Sequence, residues 1–241
     1  MQQLNTSNID PSWRDIINAS LSRLDIDYIQ SLQQNLNWLP GHQNIFNAFS
    51  LPLNNVNYIL FGESPYPRQQ SANGYAFWDG AVHQIWSEKG LEKTVNRATS
   101  LRNFIKMLLR ASNRLEKGQT SQSAIASLSK HGFITTIDQL FNNMIHQGFL
   151  LLNTSLVLSD KPVRYDARQW RPFIENILNS LANKSKKIQL ILFGSVAYEI
   201  DHLTISQQFV RFYAEHPYNI SFIENASVQD FFKPFDLLKA I

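Results

Sequence analysis

Three short apolar runs stand out along the chain: VNYILFG at 56–62, GFLLLN at 148–153 and KIQLILFG at 187–194. Each is continuous rather than alternating, is rich in Ile, Leu and Phe, and is bounded by polar residues or Gly. Continuous apolarity over so short a stretch predicts strands buried on both faces. A fourth strand is predicted at Phe209–Ala214, just before His216. Between the strands, apolar positions recur at helical spacing. One set is Leu101, Phe104, Ile105, Leu108 and Leu109; another is Trp170, Phe173, Ile174, Ile177, Leu178 and Leu181. Val228, Phe231, Phe232, Phe235 and Leu238 predict a C-terminal helix that Pro234 ends or kinks. Residues 11–37 predict one or two helices, with Asp10-Pro11 as a helix start. Strands alternating with helices give an α/β class: a three-layer αβα sandwich around a short, mostly parallel four-stranded sheet. The Ser/Gln-rich stretch 111–130, ASNRLEKGQTSQSAIASLSK, reads as a surface loop or insertion. No repeat interrupts the pattern, so residues 1–241 are read as one domain, with a helical N-terminal part over 1–50.

Composition narrows the chemistry. With 241 residues the chain can bury a large core without staples. Its lack of Cys excludes disulfides, iron–sulfur clusters, cysteine-ligated zinc and a cysteine nucleophile. The N-terminal MQQLNTSNIDPSW has no apolar core of the signal-peptide kind, and the apolar runs are far shorter than the roughly 20 residues that span a bilayer. The expectation is a cytoplasmic protein with no membrane partner. The net charge of +3 is too small to demand a nucleic-acid partner. The charge is concentrated, however: Lys89, Lys93, Arg97, Arg102, Lys106, Arg110, Arg114 and Lys117 crowd a stretch whose acids are Glu88, Glu92 and Glu116. The histidines, at 42, 83, 131, 146, 202 and 216, form no i, i+3 or i+4 pair, so no metal site is read. Neither a Walker loop nor a Gly-rich dinucleotide fingerprint is present, and no cofactor is expected.

In a parallel sheet, ligands bind beyond the C-terminal strand ends. Those ends carry Gly62-Glu63-Ser64-Pro65-Tyr66-Pro67, Asn153-Thr154, Gly194-Ser195 and Glu215-His216-Pro217. A carboxylate, an amide, a Gly-Ser turn and an imidazole on one rim would make a polar pocket. Each has a bland alternative. Glu63 could serve catalysis, or cap a turn or pair with Arg68. Asn153 could read a planar edge or cap backbone, and His216 could act as an acid or be structural. Tyr66 and Phe77 could wall a pocket or belong to the core. The stripe Arg102, Lys106, Arg110, Arg114 could touch phosphates or be a solvated helix face.

Taken together, these motifs resemble the uracil-DNA glycosylase superfamily, closest to its family 1. The family's GQDPYH is similar to GESPYP at 62–67, and its stacking Phe to Phe77 in NGYAF. Its PPSLENI helix start resembles Thr99-Ser100-Leu101-Arg102-Asn103-Phe104-Ile105, and its GVLLLNA resembles GFLLLNT. Its WGSYA resembles Phe193-Gly194-Ser195-Val196-Ala197, and its HPSPLS resembles His216-Pro217-Tyr218-Asn219-Ile220-Ser221. The likeness spans roughly 56–238. It implies an enzyme that flips uracil out of single- or double-stranded DNA, hydrolyses its N-glycosidic bond without a cofactor, and acts as a monomer. Asn153 would then pair with the uracil edge, Phe77 would stack on the base and Tyr66 would exclude a 5-methyl group. His216 would donate to uracil O2, and Ile220 would fill the gap left in the base stack. Ser100, Gly194, Ser195 and the basic helix would hold phosphates. The chain departs from the family where chemistry is done. The water-activating Asp is Ser64, and the acid stands one place earlier, at Glu63. Segments 78–99 and 111–130 are insertions. The resemblance thus leaves open action on another deaminated base, or a non-catalytic DNA- or protein-binding derivative.

Overall fold

The computed structural model describes residues 4–35, 37–183 and 187–240. In chain order the helices and strands are α1 (Arg14–Leu21), α2 (Ile26–Gln34), β1 (Tyr58–Gly62), β2 (Trp86–Ser87), β3 (Gly90–Leu91), α3 (Lys93–Arg97), α4 (Thr99–Ala111), α5 (Gln122–Ala126), α6 (Ile137–His146), β4 (Phe149–Asn153), α7 (Val163–Ala182), β5 (Gln189–Phe193), α8 (Val196–Asp201), β6 (Val210–Ala214) and α9 (Ala226–Phe232). They fall into two compact units, each made from two stretches of chain. One holds the residues up to Ala81 with Gly148–Tyr213; the other holds Val82–Gln147 with the residues from Ala214 on.

The first unit carries the α/β architecture. Its sheet runs β4-β1-β5-β6. β1 is parallel to both neighbours, in register from Tyr58↔Phe149 to Gly62↔Asn153 on one side and from Tyr58↔Gln189 on the other. Ile59, Leu60, Phe61, Leu150, Leu151, Leu152, Leu190, Ile191 and Leu192 are all buried, as strands covered on both faces require. β6 differs: it lies at the sheet edge, and Val210 and Tyr213 are exposed. Asp10 caps the first turn by accepting from the Ser12 N–H at 3.0 Å, which realises the helix start read at Asp10-Pro11. α7 begins at Val163, ahead of the periodic stretch from Trp170, because residues 163–169 continue the helix with a mostly polar face. It carries Pro172 inside it, which leaves the Arg168 carbonyl without its usual intrahelical donor. A buried network ties α2 to α7. Tyr28 donates to Asp166 at 2.9 Å and accepts from Trp170 Nε1 at 3.1 Å, while the Ser159 N–H donates to Asp166 at 2.9 Å.

In the second unit α4 packs on α9 and on the 3-10 turn Ile220–Glu224. Phe104 meets Phe232 edge-on at 5.2 Å. α9 stops at Phe232 and Pro234 falls in the 3-10 turn that follows, as its missing N–H and fixed φ dictate. The reading of 111–130 as a surface loop needs correction. The stretch contains α5, whose Ile125 is fully buried. Gln122 accepts from the Leu91 N–H at 2.8 Å and donates to Asn96 at 2.6 Å, so α5 holds the β2–β3 hairpin and α3. Gly90, at φ +118, is required there: a Cβ would lie 2.6 Å from the Gln122 carbonyl oxygen.

Candidate active site

The ends of β1 and β4 build the first part of the site. Gly62 stands opposite Asn153, and a Cβ on Gly62 would lie 2.3 Å from Asn153 Oδ1 and 2.9 Å from Ala76 Cβ. Only glycine leaves room for the amide. Asn153 is 4% exposed, yet among the described residues no hydrogen bond engages its side-chain amide. The parallel pairing continues past the strands. The Thr154 N–H donates to the Gly62 carbonyl at 2.8 Å, and the Ser155 N–H and Thr154 hydroxyl donate to the Glu63 carbonyl at 3.0 and 2.8 Å. Glu63 thus has a fixed backbone and an exposed side chain. Ser64 is half-buried, its hydroxyl making a long 3.4 Å bond to the Pro65 carbonyl. The alternative pairing of Glu63 with Arg68 is not formed. Arg68 instead meets Asp79 at 3.3 Å, a 3% exposed carboxylate that also accepts from the Ala81 N–H at 2.9 Å.

Phe77 and Tyr66 form the aromatic part. Phe77 has φ +64, a left-handed backbone that a bulky side chain seldom adopts. Its neighbours hold it there: the Ala76 N–H bonds the Leu151 carbonyl of β4 at 3.1 Å, and the Tyr66 hydroxyl donates to the Phe77 carbonyl at 3.2 Å. The Phe77 ring stands edge-on to Phe193, the last residue of β5, at 6.1 Å. Strain of this kind gathers where a side chain must be aimed. Burial, reinforced by the Asp79 charge, pushes the Tyr66 phenol well above its ordinary pKa, so it remains a neutral donor. After β5, Gly194 turns at φ +62 and places Ser195 in an exposed position ahead of α8, with no side-chain capping bond.

The second unit holds His216, Ile220 and Ser100. The Tyr218 N–H donates to His216 Nδ1 at 3.1 Å, and the Asn219 N–H to the His216 carbonyl at 2.9 Å. An Nδ1 that accepts puts the neutral ring's proton on Nε2. Burial lowers the His216 pKa below its ordinary value, which keeps that neutral form at neutral pH. Ile220 is 79% exposed and Tyr218 is 68% exposed. Ser100 is half-buried in the first turn of α4. Asn103, three residues on, is a buried amide that the sequence marks only as a position inside the helix-start motif. It donates to the carbonyls of this loop, contacts visible only once the fold brings α4 to residues 217–219.

The basic stripe does not act as one face. Arg110 pairs with Glu224 at 3.1 Å, and Arg114 pairs with Asp236 at 3.3 Å while lying 4.2 Å over the Phe133 ring. Arg102 donates to the Asn96 carbonyl at 2.9 Å. The reading of the whole stripe as a phosphate contact is therefore corrected: Arg110 and Arg114 hold the second unit together. Among the described residues no cluster of His, Asp and Glu could hold a metal ion, and no helix is long and apolar enough to cross a membrane.

No protein-family model matches the chain. The crystal structure of wild-type UNG from Nitratifractor salsuginis is 41% identical, covers 97% of this chain and 94% of that one, and superposes with a TM-score of 0.93. The uracil-DNA glycosylase of Campylobacter jejuni is 25% identical over 240 residues, 97% of this chain and 90% of that protein. The mimivirus uracil-DNA glycosylase, 15% identical, covers 87% of this chain and 70% of that one at a TM-score of 0.59, a likeness of fold.

Proposed function

The chain belongs to the uracil-DNA glycosylase family, and we propose that Asn153, Phe77 and Tyr66 read a uracil flipped out of DNA while Glu63 and His216 stabilise the charges of the breaking N-glycosidic bond. One observation carries this reading: the buried Asn153 amide, uncommitted to protein and facing a glycine that leaves it space. A fixed amide accepts from N3–H and donates to O4 of uracil. Cytosine presents the opposite pattern at those positions and is refused. Phe77 stacks on the base, a contact worth about 1–3 kcal/mol. Tyr66 occupies the space that a thymine methyl would need.

The chemistry then divides in two. The C1′–N1 bond breaks with its electron pair passing to the uracil ring, chiefly to O2, and the sugar gains oxocarbenium character. The Nε2–H of neutral His216 donates to that O2. The Glu63 carboxylate stabilises the cationic sugar, orients water toward C1′ and takes its proton as the new C1′–O bond forms. Ile220 holds the vacated gap in the stack, and Ser100, Gly194 and Ser195 position the backbone without reading sequence. The enzyme works as a monomer on single- or double-stranded DNA.

A cleavage panel tests the reading, with oligonucleotides carrying uracil, cytosine, hypoxanthine or xanthine. Uracil strands are expected to be cut, and Asn153→Asp is expected to lose most of that activity and to begin admitting cytosine. Cutting confined to hypoxanthine or xanthine would establish the same fold acting on another deaminated base. A panel left wholly uncut would establish a non-catalytic derivative, the outcome that Ser64 in place of the family Asp brings into view.

A further inference from the structure

We propose that Asn103 is a positioning residue for uracil excision, its buried amide clamping loop 216–220 so that His216 keeps its proton on Nε2 and Ile220 stands clear of the protein. This rests on the roles assigned above to His216 and Ile220. Asn103 is 1% exposed on α4. Its Nδ2 lies 2.8 Å from the Pro217 carbonyl, 3.3 Å from that of Tyr218 and 3.5 Å from that of Asn219. Three consecutive carbonyls thus converge on one nitrogen that has two hydrogens to give. The orientation of the amide is fixed from its other end, where Oδ1 accepts from Arg102 Nε at 3.3 Å.

The geometry of the loop follows from that convergence. With its carbonyls drawn inward, the loop directs the Tyr218 N–H at His216 Nδ1 and the Asn219 N–H at the His216 carbonyl. The side chains of Tyr218 and Ile220 are left facing solvent. One buried side chain therefore governs both the tautomer of the imidazole and the projection of the wedge. A Leu of similar volume at 103 would fill the same space and give the three carbonyls no donor.

The charged groups on the surrounding elements are Glu215 before the loop, Glu224 after it, and Arg102, Lys106 and Arg110 on α4. Glu215 accepts from Asn225 at 2.7 Å, Arg110 pairs with Glu224, and Arg102 donates to the Asn96 carbonyl. Burial holds the His216 imidazole below its ordinary value.

The test is Asn103→Leu, followed by single-turnover kinetics on a uracil duplex and by NMR titration of His216. The rate is expected to fall at least about tenfold, since a displaced catalytic group costs more than a weakened one. The His216 pKa is expected to rise as the Tyr218 N–H leaves Nδ1, because a donor on that nitrogen opposes its protonation. A folded variant with a rate within about twofold of wild type and an unmoved titration overturns the proposal. Should the Leu variant fail to fold, Asn103→Ser, with a shorter donor, takes its place under the same two readouts; wild-type values for both overturn the proposal there too. The titration needs no catalysis. A wild-type protein inert on uracil would sink the functional assignment, whereas the clamp would still stand or fall on the His216 shift.

Discussion

Asn153 and Glu63 leave neighbouring parallel strands at nearly the same level and are held in opposite ways. The Asn153 side chain is buried against a glycine and makes no hydrogen bond among the described residues. Glu63 has its carbonyl pinned by two donors from the Thr154-Ser155 turn, while its carboxylate lies exposed. On the roles proposed above, the base reader is set before substrate arrives. The carboxylate proposed to stabilise the sugar is left to take its final place when DNA covers it. On that proposal recognition is preorganised, and the carboxylate chemistry is completed by the substrate.

The largest expected effect tests the exposed partner. Glu63→Gln keeps size and removes charge, and is expected to lower the single-turnover rate on uracil DNA at least roughly 100-fold. Ser64→Asp should keep or raise activity by restoring a carboxylate at the family position. If Glu63→Gln is silent while Ser64→Asp raises a near-zero rate by orders of magnitude, the native chain lacks its catalytic carboxylate.

Next comes the buried partner. Gly62→Ala places a Cβ 2.3 Å from Asn153 Oδ1, so the amide must rotate away. The expected loss is about tenfold or more in kcat/KM for uracil, with a smaller change in binding of undamaged DNA. Unchanged kinetics would show that Asn153 does not read the base. A few-fold effect is expected from pH. Activity should fall as acid protonates His216 at Nδ1 and expels the Tyr218 N–H. Because burial lowers the His216 pKa, this limb should lie below the ordinary histidine value of 6.5. A limb at or above that value would contradict the neutral-imidazole assignment. The smallest effect on function is expected from Arg110→Met. Its partner Glu224 lies inside the same unit, so the salt dependence of DNA binding should stay as it was. The cost should appear instead as a melting temperature lower by several degrees. A weakened salt slope would return Arg110 to the DNA face.

Three strands of the sheet, β1, β4 and β5, were legible in the sequence because they are buried on both faces, and such strands are written as unbroken runs such as FLLLN. The residues that follow each run could therefore be placed at strand ends, which is how the position of Asn153 was legible. Features set by distant partners were not. Ile125 is one apolar residue in a Ser/Gln-rich stretch, too isolated to announce a buried helix. Arg110 and Glu224, and Arg114 and Asp236, are more than a hundred positions apart, so their charges read as a free stripe. The left-handed backbone of Phe77 depends on bonds from Ala76 to β4 and from Tyr66, and has no local signature.

The bond between Tyr28 and Asp166 has a consequence for anyone who wishes to shorten this chain. Asp166 is wholly buried, and its partners are the Tyr28 hydroxyl and Ser159. A fragment starting after α2 would leave that carboxylate without its phenol and the Trp170 indole without an acceptor. It would also strip Asn176 of its 2.9 Å bond to Ser20. Losing one partner of a buried charge is among the costliest single changes a fold can suffer. The two leading helices carry none of the residues assigned to uracil, yet any minimal catalytic fragment has to begin ahead of them.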